Sequence, residues 1–421
     1  MTVLHQKKTG PEHNKDEIDR LSSKDRVTNW DIVGFIISII SHLIDVFFDC
    51  NLAYRYYLSN YIGYFFTTVG FILIPAVINT GFSLRMYVLS PDNNHRTLTK
   101  KFTKRRVLCV LVLVFQLAPV LRYFDALQYA IKSKKAEKTG DQENQRKYYE
   151  LMVKEDSDVA LLRVLECFLE AAPQQILQLA IIFATHGKEF EQTLTMVHQL
   201  LSIGSSFVSM AWSMASYQRL LRVSLKTKHN ISWPATIVQF MWHFLVTVSR
   251  ILCISVVASV YPVHTILVLV FHWFVMTIWL SATSSENNFC DHNKMYDFLF
   301  YSIFGAVYIF TQVVLVDGPT FLKYLIFYGI LFGENTLANV VWIWNADETL
   351  EKTHYYKPII YLNIIPFVVG IIFMLLYYKV FHPSTGYNRQ RVTADPIRRL
   401  LRLVCTHSPQ DYLFSVRFLS L

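Results

Sequence analysis

Long apolar stretches constrain the fold of this chain more than any other feature of its sequence. Residues 265–282 and 359–378 approach the roughly 20 consecutive apolar residues that a helix needs to cross a hydrocarbon core. Only 17% of the residues are charged, against about a quarter in an ordinary soluble domain. Because hydrocarbon offers the backbone no hydrogen-bonding partner, spanning segments of this kind must be helical. The sequence therefore predicts an all-α polytopic membrane protein.

Ten apolar segments follow one another between two polar tails. The tails are residues 1–29 and 382–421, and residues 30–381 form the predicted transmembrane domain. A connection rich in both charge signs, residues 132–158, separates segments three and four, and its composition indicates a partly mobile loop. The segments lie at about 30–57, 61–89, 106–131, 159–184, 193–217, 234–260, 264–283, 297–316, 321–345 and 358–381.

Basic residues in the connections predict which segments cross the membrane, because cytoplasmic loops accumulate Lys and Arg. The connections before and after segment three are both strongly basic. A third segment that enters and leaves on the same side keeps both of them in the cytosol. Pro119 near its middle favours a broken helix, since proline removes a backbone hydrogen bond. The basic tails place both termini in the cytosol as well.

Two cytosolic termini require an even number of crossings, so a second segment must also fail to span. Segment eight occupies the position equivalent to segment three if the chain consists of two pseudo-repeats of five segments. We therefore predict eight transmembrane helices plus two re-entrant in-membrane helices. The repeat rests on segment number and parity, because the two halves show no convincing similarity in sequence.

Charged residues inside the apolar segments are the candidate functional residues, since each costs roughly 2.5–3.5 kcal/mol on insertion scales. Segment one holds Asp31, Asp45 and Asp49. Their spacing places them within about 40° of one another on a helix of 3.6 residues per turn. They predict an acidic stripe roughly 27 Å long, comparable with the hydrocarbon thickness.

Segment four carries a second one-sided group. Arg163, Glu166 and Glu170 lie within roughly 60° of one another on a helix. Arg250 in segment six and Arg122 in segment three are available as countercharges for the aspartates of segment one. Two interpretations stay open: paired charges that fix helix register, or a polar groove that lipid headgroups or ions follow. Continuity of the stripes across the bilayer favours the groove.

Catalytic and metal-binding patterns do not occur in the sequence. There is no GxSxG, no Walker loop and no HExxH, so we expect neither an enzyme nor a cofactor. The cysteines are scattered singly, which indicates no metal site. His42, His243, His264 and His272 are interpreted as ordinary helix-contact histidines. The basic residues lie in loops between apolar segments, so no nucleic-acid partner is expected.

Segments one and four resemble the XK-related family. The resemblance is carried by Asp45 and Asp49, four positions apart, and by the run LRxxExxxExxPQxILQL that begins at Leu162. Further agreement comes from Ala211-Trp212-Ser213 with Tyr217, and from Phe381-His382-Pro383.

That resemblance implies a plasma-membrane scramblase that moves phospholipids in both directions without ATP and exposes phosphatidylserine on dying cells. It also implies a caspase and a single-span membrane chaperone subunit as partners. The intramembrane charges of the family would fall on Asp31, Asp45, Asp49, Arg163, Glu166 and Glu170, with Arg250 as a weaker match.

Several members of the resembled family are activated when a caspase removes part of a cytosolic tail. The N-terminal tail contains Asp16-Glu17-Ile18-Asp19, which predicts a cut between Asp19 and Arg20. An N-terminal cut resembles that of the family's nematode cell-death member. The alternative interpretation of the same residues is a solvated charge run.

Two other functions stay open for the whole chain. The intramembrane charges are compatible with a polar-solute transporter or channel that uses them as a midplane site. The chain is also compatible with a structural partner of another membrane protein.

Overall fold

The computed structural model describes residues 26–88, 112, 116–185, 193–224, 230–284, 294–313, 321–346 and 348–381. Regular structure within these ranges is helical, which confirms the all-α prediction. The predicted cleavage site, Asp16 to Arg20, and the C-terminal tail lie outside the described residues.

The helices of the described ranges follow the predicted apolar segments closely. Short π-helical stretches at Cys167–Ala171 and Tyr377–Phe381 follow α4 and α12, respectively. The α-helices are α1 (Asn29–Leu58), α2 (Ile62–Val88), α3 (Ala118–Thr139), α4 (Gln142–Glu166), α5 (Ala172–Ala184), α6 (Thr193–Ser224), α7 (Trp233–Val260), α8 (Pro262–Ser284), α9 (Lys294–Val307), α10 (Phe321–Trp344), α11 (Glu348–Glu351) and α12 (Tyr356–Leu376).

Seven helices of the described part are long and apolar enough to cross a membrane, so the protein is a multi-pass membrane protein. They are α1, α2, the continuous stretch from α4 to α5, α7, α8, α10 and α12 with its π-helical end. The eighth predicted span corresponds to α6, which is long enough at 32 residues but interrupted by serine and glutamine side chains. The number of eight stays a prediction.

Both segments predicted to be re-entrant are interrupted in the structure. In segment three Gln116 has a left-handed φ of 51°, and α3 begins anew at Ala118. Pro119 occupies the first turn of α3, where its missing N–H costs nothing, which confirms the predicted break. In segment eight α9 ends at Val307 after 14 residues, about 21 Å at 1.5 Å per residue. This is shorter than the roughly 30 Å hydrocarbon core.

The charged connection 132–158 is helical, so the prediction of a partly mobile loop was wrong. Gly140, with a φ of 74°, closes α3, and the Asp141 carboxylate accepts the backbone N–H of Asn144 at 3.1 Å to start α4. On either side of these two adjacent residues the sequence is rich in Lys, Glu, Gln and Ala, which are strong helix formers. α3 and α4 therefore form an antiparallel helical hairpin.

The start of α1 is attached to this α3–α4 hairpin. Arg26, just before α1, donates from Nε to Oε1 of Glu137 on α3 at 2.8 Å. Val27 is buried in a small apolar cluster that includes Phe35 of α1 and Tyr123 of α3. A larger apolar cluster occupies the rest of the molecule, where α7 packs against α5, α6, α10 and α12. α1 thus lies at the edge of the bundle, against α2 and α3.

A buried ion cluster joins the hairpin to α2. Arg122 of α3 donates from Nη1 to Glu155 and Asp158 of α4, both at 2.9 Å. Its Nε and Nη2 donate to the hydroxyl and carbonyl oxygens of Ser83 on α2, both at 3.0 Å. The prediction that Arg122 neutralises the aspartates of α1 was wrong, because its guanidinium is bonded to these carboxylates.

We expect Arg122→Ala to lower the free energy of unfolding by about 3–5 kcal/mol, because it leaves two buried carboxylates without their cation. The measurement is thermal unfolding of the purified protein in detergent. Arg146→Ala is the matched control, since Arg146 and Glu150 form an exposed pair at 3.4 Å whose loss costs at most about 1 kcal/mol. Equal transition temperatures for the two variants would contradict a stabilising role of the buried cluster.

Candidate functional site

Two clusters of polar residues, one in each half of the chain, surround the interrupted ends of segments three and eight. The first, called the N-cluster, comprises His42, Asp45, Asp49, Gln116, Arg163, Glu166, Glu170 and Gln174. The second, called the C-cluster, comprises Arg250, His272, Tyr308, Ile309, Glu334 and Asn335.

His42 is the centre of the N-cluster. It is fully buried, and its Nδ1 lies 3.0 Å from Oε1 of Glu166 on α4. Its Nε2 donates to the carbonyl oxygen of Gln116 at 2.9 Å. Arg163 donates from Nη1 to the same Glu166 oxygen at 3.0 Å. The imidazole therefore connects α1, α4 and the break in segment three.

The Gln116 side chain extends this network toward Glu170. Its Nε2 donates to Oε1 of Glu170 at 3.0 Å and to the carbonyl of Ile72 on α2 at 3.2 Å. Glu170 lies in the π-helical stretch Cys167–Ala171. Pro173 has no N–H to offer the preceding turn, and a wider π turn accommodates that loss. The proline of the sequence motif thus shapes the backbone that carries Glu170.

Five of the six charges predicted in segments one and four come together here. Asp45 lies 3.9 Å from Nη1 of Arg163, and 51% of its side chain is exposed. Asp49 is half-buried, within Coulombic range of Asp45 and Glu166. The predicted common face of α1 is therefore confirmed for these two aspartates.

Asp31, the sixth predicted residue, does not join the N-cluster. It is exposed at the start of α1 and forms a capping box with Thr28. Its Oδ2 accepts the Thr28 backbone N–H at 2.8 Å, and its own N–H donates to the Thr28 hydroxyl at 3.2 Å. The carboxylate therefore stabilises the first turn of α1, about 21 Å along the helix from Asp45.

Arg250 belongs to the C-cluster, so its prediction as a countercharge for Asp45 or Asp49 was wrong. Its Nη2 donates to Oε2 of Glu334 at 2.5 Å and its Nη1 to Asn335 at 2.9 Å. Its Nε donates to the carbonyl of Ile309, just beyond α9, at 2.9 Å. The partners lie on α10 and on segment eight, in the second half of the chain.

His272 of α8 repeats in the C-cluster the bonds of His42. Its Nδ1 lies 2.7 Å from Oε1 of Glu334, and its Nε2 donates to the carbonyl of Tyr308 at 3.2 Å. In both clusters a histidine bridges a carboxylate and a carbonyl at the end of a re-entrant segment. A carbonyl only accepts, so Nε2 carries a proton in both histidines and Nδ1 faces the carboxylate.

This repetition gives partial support to the two pseudo-repeats. The carbonyls come from segments three and eight and the carboxylates from segments four and nine, which are equivalent positions. The histidines come from segments one and seven, which are not. The bond pattern is therefore repeated, whereas the element that supplies the imidazole is not.

His42 and His272 are hydrogen-bonded contacts between helices, as predicted, but the sequence did not identify them as the residues that bind the interrupted ends of segments three and eight. For His42 the sequence contains a usable signal, since it precedes Asp45 by three positions and so shares its helix face. For His272 no intramembrane charge on α8 gives such a signal.

The two clusters differ in charge. In the C-cluster, Glu334 lies between the cation Arg250 and the imidazole of His272. In the N-cluster four carboxylates, those of Asp45, Asp49, Glu166 and Glu170, share the guanidinium of Arg163 and the imidazole of His42. The N-cluster therefore has an excess of carboxylates, and it is open to the surroundings of the bundle at Asp45.

Both clusters lie within the part of the chain that matches a known protein family. The sequence model described as XK-related protein matches residues 33–383. A relative from Caenorhabditis briggsae, named Cell death abnormality protein 8, is 28% identical over 405 residues, 92% of this chain and 85% of the relative. The protein of the same name from Caenorhabditis elegans is 28% identical over 422 residues, 95% of this chain and 85% of the relative.

We expect His42→Phe to loosen the break in segment three, because it leaves the Gln116 carbonyl without its donor and leaves Arg163 as the remaining partner of Oε1 of Glu166. Hydrogen–deuterium exchange in detergent measures this as faster exchange of the amides of residues 116–121. His264→Phe is the matched control, since His264 is exposed near the start of α8. Unchanged exchange in His42→Phe would show that the imidazole does not hold the turn.

Proposed function

This chain belongs to the XK-related protein family, and from that premise we propose that it is a phospholipid scramblase, which moves lipids in both directions across the bilayer without ATP. The observation that carries the proposal is the N-cluster. Its unneutralised carboxylates lie inside the membrane domain, and Asp45 presents half of its side chain to the surroundings. An ionised carboxylate inside a membrane domain costs several kcal/mol, and such residues typically mark a polar pathway.

The path runs between α1 and the π-helical part of segment four. A lipid headgroup would exchange its water for the side chains of the N-cluster, which lowers the cost of crossing hydrocarbon. The acyl chains would stay outside, against the exposed apolar side chains of α1 beside Asp45. These include Leu43, Ile44, Phe47 and Phe48. Such a path has no preferred direction, so lipids move down their own gradient.

Asp31 extends this path toward the cytosolic end of α1. It lies on the same face as Asp45, and Ser38 lies midway between them. Its capping contacts leave the side chain exposed, so it remains available to a headgroup at the membrane boundary. In this proposal Arg250 has a different role: the C-cluster neutralises its own charges and holds the second re-entrant segment.

The relatives named for cell death support a role for this protein in dying cells. We propose that it exposes phosphatidylserine at the plasma membrane, with both termini in the cytosol, after a caspase cuts between Asp19 and Arg20. A single-span chaperone subunit and the absence of an enzymatic reaction are part of the same proposal.

The scramblase proposal predicts lipid flux in liposomes that contain the purified protein, measured with fluorescent lipid and an outer-leaflet quencher. Glu170→Gln and Asp49→Asn should each lower the flux about tenfold, which corresponds to a barrier higher by about 1.4 kcal/mol. Glu348→Gln, at the exposed Glu348 of α11, is the matched control. Ion or solute uptake without lipid flux would select a transporter instead.

If a caspase activates the protein by cutting after Asp19, caspase treatment should raise the lipid flux in the same liposomes. Asp19→Glu keeps the negative charge but removes the aspartate that a caspase requires at the cut, so this variant should stay uncut and should not respond. A response of Asp19→Glu equal to that of the wild type would leave Asp16 to Asp19 as a solvated charge run.

A further inference from the structure

We propose that the N-cluster is a binding site for the ammonium group of phospholipid headgroups, so that the pathway favours lipids that carry a primary amine. This inference rests on the proposed function for its substrate class. It adds a chemical preference that flux alone does not imply.

The N-cluster contains more carboxylates than cationic side chains. Arg163 and His42 both bind the same carboxylate, that of Glu166. Asp45 shares Arg163 only at 3.9 Å, and Asp49 and Glu170 are within Coulombic range of each other. Carboxylates this close in a medium of low dielectric constant repel one another unless a positive charge or a proton lies between them.

Buried polar atoms without hydrogen-bond partners also indicate that a cation is missing from the N-cluster. Oε2 of Glu166 and Oε2 of Glu170 are buried, and neither has a hydrogen-bond partner in the described part of the chain. The amide of Gln174 lies beside the Asp49 carboxylate. Glu170 and Gln174 are each 3% exposed. The two residues lie four positions apart on segment four, and therefore on one side of it, close to Asp49 of α1. Buried groups without partners are rare in folded proteins, and each costs about 1–3 kcal/mol.

The unused atoms match the two ends of a headgroup. The carboxylate oxygens can only accept when ionised, and a primary ammonium supplies three N–H donors. Nε2 of Gln174 carries two N–H donors, of which Asp49 takes one, and a phosphate oxygen can accept the other. Ethanolamine and serine headgroups carry ammonium and phosphate close together. Choline offers the charge without donors, and glycerol offers neither.

The C-cluster has the opposite character. Both carboxylate oxygens of Glu334 have partners, Oε1 in His272 and Oε2 in Arg250. A carboxylate satisfied in this way needs no external cation. The difference between the clusters assigns ammonium binding to the first half of the chain, although each half contains a glutamate that contacts a buried histidine.

Access to the N-cluster is lateral, from the lipid side of α1. Asp45 is the exposed member of the group, and the apolar residues that flank it on α1 are exposed as well. An ammonium can therefore approach Asp45 while its acyl chains remain in contact with Phe47 and Phe48. From Asp45, the next carboxylate along α1 is Asp49, about 6 Å away along the helix axis.

The test compares phosphatidylserine with phosphatidylglycerol, which carry the same net charge but differ in the ammonium group. Full-length protein is reconstituted in phosphatidylcholine vesicles with either lipid spin-labelled on an acyl chain, and the protein-associated fraction is measured by electron paramagnetic resonance. We expect about threefold stronger association of phosphatidylserine. The ratio should approach one in Asp49→Asn and Glu170→Gln and stay unchanged in Glu348→Gln.

Lipid flux, measured in the same vesicles, separates this inference from the scramblase proposal. Preference for phosphatidylserine without flux of any lipid supports the ammonium site and overturns the scramblase. Equal association of the two lipids with the wild-type protein overturns the ammonium site, with or without flux, and means that protons or inorganic cations neutralise the carboxylates. The wild-type comparison decides the question even if a variant fails to fold.

Discussion

The fold depends on how the backbone is satisfied where a helix ends inside the bundle. A carbonyl that leaves a helix in an apolar interior needs a donor from the protein. At the interrupted ends of segments three and eight this donor is an imidazole: His42 binds the Gln116 carbonyl, and His272 binds that of Tyr308. A neutral imidazole has one donor, and a second donor is present only when it is charged, so a carboxylate beside Nδ1 completes the arrangement. Each interrupted segment thereby has a histidine and a glutamate beside its end.

The two halves then differ in what surrounds that glutamate. In the second half Arg250 occupies the remaining oxygen of Glu334, and the ion group is complete. In the first half α1 adds Asp45 and Asp49, and segment four adds Glu170, without a matching number of cations. α1 also lies at the edge of the bundle, where its polar face meets the lipid boundary. The same arrangement is therefore neutralised in the second half, whereas in the first half it carries the excess carboxylates on which the proposed pathway rests.

Much of this was accessible from the sequence. Hydropathy located the helices, and spacing on a helix placed Asp45 and Asp49 on one face and Arg163, Glu166 and Glu170 on another. Partner choice was not accessible, because it depends on how helices pack. The predicted pairing of Arg250 and Arg122 with the aspartates of segment one was therefore wrong. The helical hairpin was missed because mixed charge was interpreted as mobility, although Gly140 and Asp141 marked a helix stop and a helix start.

The hairpin has a mechanical consequence. α4 runs without interruption for 25 residues, about 37 Å, from its cap at Asp141 to Glu166. Near its C-terminal end, α3 binds Arg26, which directly precedes α1. The hairpin therefore contacts α1 at two distant places: α3 binds Arg26 before the first turn of α1, and Glu166 at the end of α4 binds His42 near its middle. A sliding of α1 along the hairpin would break both contacts at once, so the position of α1 is set by the hairpin.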